Sequence, residues 1–181
     1  MTDAPLAIDL DGTLHSGDMS LMLFRSGLRK NPVLLITFPL AWIYFGKGAA
    51  KLLAEKHGKI DFEGVDWSQE VLRYARAAKQ SGRKLILATG TPQATAEACN
   101  KALGGLFDQV MGTSEKTNLI GQAKAEALCL SCHVYGYDYI GNSKQDIPVW
   151  RSARQVLIAY APESVKKEAM VLGRKVAKVF S

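Results

Sequence analysis

The chain has little cysteine, few aromatics and no uninterrupted apolar run long enough to span a bilayer. Its three cysteines are an odd number, and acidic Asp3 stands just before the first apolar run, so no secretory leader is expected. Thiols in that number without a leader imply a reducing, cytoplasmic setting and no disulfide framework. A transmembrane helix needs about 20 apolar residues. The nearest approach, 33–45, is shorter and carries Pro39 inside it. Acid is also scarce relative to base, with a net charge of +6 and a pI near 9.2. The late cluster of Lys166, Lys167, Arg174, Lys175 and Lys178 is not interleaved with aromatics, so nucleic acid is not expected as a partner. A phosphorylated substrate, an anionic membrane surface or a solvated helix face accounts for that charge better. There are no repeats or low-complexity segments, and 181 residues at 48% apolar suit one domain with a small insertion.

What the chain does have is an apolar run ending in Asp9-Leu10-Asp11-Gly12-Thr13-Leu14. Alternation along a strand puts Asp9 and Asp11 on one face and Leu10 on the other. Two carboxylates side by side at a strand end call for a cation or a shared proton. An aspartate so placed can attack phosphorus. The plainer reading of Asp11-Gly12 is a turn. Further on, spacing and breakers predict helices over 18–29, 46–57, 67–80, 118–130 and 146–154, another after Pro92, and a terminal helix over 162–179. Strands are predicted over 84–88, 107–111, 134–140 and 155–160. Strands alternating with helices imply an α/β, Rossmann-like, doubly wound and mostly parallel sheet. Its site would lie beyond the carboxyl ends of the strands, at the switch point. Strand ends at Asp9-Leu10-Asp11, Thr89-Gly90-Thr91 and Gly141-Asn142 would then converge, with Asp146 close behind. For 33–45 two readings stand: a buried helix pair packed on the domain, or an apolar flap for lipid or greasy substrate, flanked by Lys30, Lys47 and Lys51.

Taken together, Asp9-Leu10-Asp11-Gly12-Thr13-Leu14, Thr89, Lys124 and Gly141-Asn142-Ser143-Lys144-Gln145-Asp146 resemble the haloacid dehalogenase superfamily of phosphohydrolases over nearly the whole chain. The resemblance implies a core of 1–16 and 66–181 with a helical cap inserted over 17–65. It implies a magnesium-dependent phosphatase, with Asp9 as nucleophile and Asp11 as the acid that protonates the leaving oxygen and then activates water. Thr89 would hydrogen-bond a phosphoryl oxygen, and Lys124, with Lys116 as its competitor, would hold the charge of Asp9 and the phosphoryl group. Gly12, Thr13, Gly90 and Thr91 would border the substrate. Magnesium would fall to Asp9, the main chain of Asp11, Asp146 and Asn142. Asn142 departs from the pattern, since many relatives carry an acid there, and a neutral amide binds magnesium more weakly.

More narrowly, Gly82 to Thr89, Gly46-Lys47-Gly48 and Gly141-Asn142-Ser143 with Trp150 are similar to the phosphatase-like domain fused to membrane prenyltransferases of the ubiquinone-synthesis (UbiA) type. That implies a small phosphate ester, prenyl- or sugar-linked, as substrate, and a cytoplasmic protein that touches membrane through 33–45. The alternatives are a non-catalytic scaffold domain on a membrane enzyme, which Asn142 favours, and a phosphomutase. Cys129-Leu130-Ser131-Cys132-His133 also matches the haem-attachment spacing. Without export, buried thiols at a helix end are the expected reading.

Overall fold

The opening apolar run becomes strand β1 (Leu6–Ile8). The computed structural model describes residues 4–132 and 136–180. With β2 (Leu85–Pro92), β3 (Gln109–Thr113), β4 (Asp138–Gly141), β5 (Gln155–Ala159) and β6 (Lys175–Phe180), β1 forms a six-stranded sheet in the order β3-β2-β1-β4-β5-β6. Every pairing is parallel. The chain leaves β1 towards β2 and β3, then returns to its other side for β4, so the switch point lies beside β1.

Parallel strands buried on both faces must carry apolar side chains in both directions. Leu6, Ile8, Leu85 and Leu87 enter one layer, with Val71, Leu72 and Ala75 of α3 (Gln69–Gln80) and Ala96 and Cys99 of α4 (Gln93–Ala102). Ala7, Ile86 and Ala88 enter the other. That layer is filled by α5 (Gly121–Cys132), α6 (Ile147–Ser152) and α7 (Glu163–Met170) through Leu128, Trp150 and Val165. Ser68 caps α3 by accepting from the Val71 N–H, one of the amides a helix start leaves unpaired. The expected doubly wound fold is present.

The expected terminal helix is not. It stops at Met170, the chain turns at Gly173 with φ +69°, and 175–180 run as edge strand β6 beside β5. Phe180 is buried against the Tyr74 ring and Lys178 lies over both rings, while Lys175 faces solvent. Lysines on an edge strand blunt its tendency to pair with other chains. They also gave the segment its resemblance to a solvated helix face. The other predicted elements keep their type with shifted ends, and 134 and 135 of the predicted fourth strand lie outside the described residues.

Between β1 and α3 come two helices, α1 (Met19–Lys30) and α2 (Leu34–His57). Asp18 caps α1 by accepting from Leu21 N–H. Pro39 lies within α2, but the change of direction comes at Gly46, whose φ of 86° and ψ of 170° are outside the helical region. Beyond Gly46, Ala50, Lys51 and Ala54 are buried on the domain. Before it, Leu35, Ile36, Trp42, Ile43, Tyr44 and Phe45 are exposed, Phe45 to 80%. The reading of 33–45 as a buried pair is therefore corrected: Phe24 and Phe38 stack between α1 and α2 at 4.5 Å, but the outer apolar face is uncovered in this chain. Among the described residues no helix is long and apolar enough to cross a membrane.

Candidate active site

Beyond Ile8 the chain leaves the sheet, and its next side chains reach into a cleft at the carboxyl ends of β1, β2 and β4. The cleft holds about 190 Å³ and is bordered by Asp9, Asp11, Lys124, Asn142 and Asp146, with Lys47 and Lys51 from α2 on its far side. Three strand ends thus meet as the sequence suggested, and α2 faces them across the cleft.

Asp9 is buried, and its Oδ1 accepts from Lys124 Nζ at 2.7 Å. Lys124 stands on α5, also donates to the Tyr139 hydroxyl at 2.9 Å and lies 3.5 Å from Asp146 Oδ1. It is the basic residue of the site; Lys116 is exposed on the loop before α5. Burial pushes the Asp9 carboxyl up to about 7, against the pull of the Lys124 ammonium, and Asp146 and Asp11 add to the rise. Burial alone would lower Lys124, but Asp9 and Asp146 outweigh it and hold the ammonium above its usual range.

Asp11 borders the same cleft as Asp9 but has its own hydrogen-bond donors. Its Oδ1 accepts from Met19 N–H at 2.7 Å at the start of α1, and its Oδ2 from the Thr91 hydroxyl at 2.7 Å. The main chain bends just after Asp11, at Gly12, with φ +74°. Burial raises its carboxyl, while the Met19 and Thr91 hydrogen bonds oppose the rise. A carboxyl so raised can carry a proton to a leaving group.

Asp146 is held on both oxygens. Its Oδ2 accepts from Asn142 N–H, Ser143 N–H and the Ser143 hydroxyl, and its Oδ1 from the Tyr139 hydroxyl. Both oxygens are engaged in shaping the turn after β4 and in holding Lys124. Among the described residues no three His, Cys, Asp or Glu side chains gather to hold a metal, while Asp9, Asp11, Asn142 and Asp146 all border the one cleft. Asp9 Oδ2 and the Asn142 side chain border the cleft with no hydrogen bond from the described residues. A Cβ on Gly12 would fall 1.9 Å from Asn142 Nδ2, so glycine is needed there for the amide to sit where it does. Asp9, the Asp11 carbonyl and the Asn142 amide oxygen are hard oxygen donors of the kind magnesium takes, with one negative charge fewer than two carboxylates would give. They fit the ion.

The remaining expected residues divide. Thr89 is fully buried and its Oγ1 accepts from Thr91 N–H, which leaves its own O–H to donate. The Thr91 hydroxyl is spent on Asp11 and does not border the cleft. Gly90 borders it, and its carbonyl accepts from Lys51 Nζ at 2.5 Å and from the Thr113 hydroxyl. Gly12 and Thr13 line a neighbouring cleft of about 520 Å³, where Thr13 Oγ1 has no partner among the described residues. Asp138 is a structural residue: it pairs with Arg83 at the opposite end of the sheet. Cys129 is exposed and Cys132 buried, while His133 of that motif lies outside the described residues.

Sequence reasoning missed Tyr139 and Lys51. Burial and Asp146 keep the Tyr139 phenol protonated, so it bridges Lys124 and Asp146. Nothing at the sequence level distinguishes it from a core aromatic. Lys51 had a signal, four residues after Lys47 and hence on the same helix face.

The family model for haloacid dehalogenase-like hydrolases matches residues 6–151. An uncharacterised protein of Sinorhizobium fredii, y4nM, is 33% identical over 150 residues, which are 82% of this chain and 28% of that protein. The chain thus spans less than a third of the length of that curated relative. Among solved structures, a protein of unknown function from Bordetella pertussis Tohama I superposes with a TM-score of 0.72 at 14% identity, covering 100% of this chain and 99% of the other. A predicted phosphatase from Clostridium acetobutylicum gives 0.67 at 16%, covering 100% and 95%. Phosphoserine phosphatase in its apo form gives 0.66 at 13%, covering 99% and 94%. At such identities the likeness is one of fold.

Proposed function

The chain belongs to the haloacid dehalogenase-like hydrolase family, and from that premise we propose that it is a phosphatase working through an aspartyl-phosphate on Asp9. The observation that carries this reading is the buried Lys124 ammonium shared between Asp9 and Asp146, with Asp11 held separately by Thr91 and α1. Asp9 attacks phosphorus as Asp11 gives its proton to the departing oxygen, leaving an acyl phosphate and an alcohol. Asp11 then takes a proton from water as its oxygen attacks that phosphorus, and Asp9 and inorganic phosphate are released. Lys124 offsets charge on Asp9 and the phosphoryl group, and the Thr89 hydroxyl donates to a phosphoryl oxygen.

Magnesium would be held by Asp9, the Asp11 carbonyl and Asn142. When bound, it supplies charge neutralisation between carboxylate and phosphate. Turnover of a phosphate-ester panel with magnesium tests the whole reading: activity lost on chelation supports it, and no turnover with any divalent metal sinks it in favour of a scaffold domain. Asn142→Asp restores a charged ligand, so the magnesium concentration for half-maximal activity should fall about tenfold, equivalent to about 1.4 kcal/mol. An unchanged requirement would remove Asn142 from the metal's ligands.

For the substrate class we propose a prenyl- or sugar-linked phosphate met at a membrane surface, with 17–65 as the cap that selects it. Support comes from the exposed apolar arm before Gly46, set directly ahead of Lys47 and Lys51 in the cleft wall. From 19 to 54 there is no Asp or Glu, while Arg25, Arg29, Lys30 and Lys47 are basic and exposed. Lys47 also lies 5.5 Å over the Trp42 ring. Aromatics and aliphatics bordered by cations suit an anionic lipid surface. The protein should float with vesicles containing phosphatidylglycerol and stay behind with neutral ones. Replacing Trp42, Tyr44 and Phe45 by serine should abolish flotation. Flotation unaffected by that triple change would discard the arm as the contact.

A further inference from the structure

Lys51 is the buried charge for which neither the fold nor the chemistry above has a use. It stands between Ala50 and Ala54 on the packed half of α2, and is 9% exposed. Its ammonium has three N–H groups, and the described residues give it one acceptor, the Gly90 carbonyl. No carboxylate lies within ion-pair distance of it among the described residues. An ammonium kept from water without a counter-ion is costly, and a fold that keeps one commonly reserves it for an anion.

The surroundings are arranged to admit it. A Cβ on Gly90 would lie 3.0 Å from Lys51 Nζ and 2.6 Å from Ile120 Cγ2. The same carbonyl takes the Thr113 hydroxyl, so it is fixed before Lys51 arrives. Lys51 borders the cleft that Asp9 and Lys124 also border, and Lys47 joins it one helical turn away. Lys124 stands among carboxylates, whereas Lys51 retains N–H groups to spend on a ligand.

We propose that Lys51 is a phosphate-binding residue: its ammonium, carried in by the inserted helix, donates to an oxygen of phosphate bound in the Asp9 cleft while staying anchored to Gly90. This rests on the phosphatase reading and adds to it a substrate contact from the insert. The insert would then complete the anion site as well as cover it, and binding would be linked to the seating of α2.

Lys51→Gln and Lys51→Arg, each with magnesium, provide the test. A charge-assisted hydrogen bond is worth roughly tenfold to a hundredfold in affinity. Lys51→Gln should raise both KM for p-nitrophenyl phosphate and the inhibition constant of inorganic phosphate by roughly that factor, and Lys51→Arg should recover most of the loss. Phosphate should also raise the wild-type melting temperature more than that of Lys51→Gln. If the wild type turns over phosphate esters and Lys51→Gln keeps the same phosphate inhibition constant, the assignment is overturned and Lys51 is a strap between α2 and β2. If the wild type neither turns over esters nor gains stability from phosphate, the phosphatase reading itself fails and takes this contact with it.

Discussion

Asp9→Asn is expected to reduce phosphate-ester turnover by roughly ten-thousandfold or more while leaving the protein folded and at least as stable as the wild type at neutral pH. The first half follows from chemistry, since a carboxamide cannot form the acyl phosphate. The second follows from where Asp9 sits. Burial raises its carboxyl from 3.8 to about 7 despite Lys124. Between those values the folded chain binds a proton that the unfolded chain has released, so stability falls as pH rises across that interval and levels off above it. A neutral asparagine removes that component. The wild-type melting temperature minus that of Asp9→Asn, measured from pH 4 to pH 8 without divalent metal, should decline through the interval and then flatten. Magnesium should lift the wild type above pH 7 and leave the variant almost unmoved. Residual turnover near wild-type level in a purified variant would exclude Asp9 as nucleophile. A melting difference independent of pH would show that Lys124 fully compensates the buried charge. Such a residue costs stability where it serves chemistry, the trade-off expected of active sites.

The sheet was legible because its signals are local. Leu6, Ala7 and Ile8 are apolar in both directions, as a strand sandwiched between helices must be, and Pro92 and Gly141 stand at the ends of β2 and β4. Lys124 and Asn142 could be placed through motif order, since the loops after parallel strands share one rim. The partnership of Asp11 could not. Alternation puts its carboxylate in the cleft with Asp9, but its two donors, the Met19 N–H and the Thr91 hydroxyl, come from α1 and β2 and leave no local signal. The hydrogen-bond partners of Asp146 were hidden in the same way. A carboxylate four residues past a turn can ligate an ion or clamp the turn, and only the Asn142 and Ser143 N–H groups reveal which.

The ends of the argument from periodicity show at 33–45 and 175–180. An apolar stretch predicts burial only if something is there to cover it, and the outer face of 33–45 is uncovered. Burial alternates along 175–180 as on an edge strand, but the residue types do not: Lys175 and Lys178 are three apart, a spacing a helix extended from the preceding charged run also satisfies. The break is Gly173, whose positive φ ends that continuity.

Lys124→Met should cost about 3–5 kcal/mol of stability near pH 8 and lower turnover by roughly a hundredfold to a thousandfold. The ammonium is almost fully buried and lies against Asp9, Asp146 and the Tyr139 hydroxyl. Methionine fills its volume and strands two carboxylates with no compensating charge. Breaking a buried pair by removing one partner is the costly case, because the other charge cannot regain water. The loss should shrink as pH falls through about 7 and Asp9 takes up its proton, so the variant and wild type should draw closer in melting temperature on the acid side. Magnesium should recover part of the stability by standing in for the lost charge, yet not the rate, since Asp9 would lose the donor that fixes its orientation. The double variant Asp9→Asn with Lys124→Met separates the two effects. If the pair interacts as the 2.7 Å contact indicates, the double variant should be markedly more stable than Lys124→Met alone, and a simple sum of the single effects would deny the coupling. Chemical denaturation at fixed pH measures this cycle directly, and its outcome decides whether Lys124 holds Asp9 in the folded enzyme or merely lies beside it.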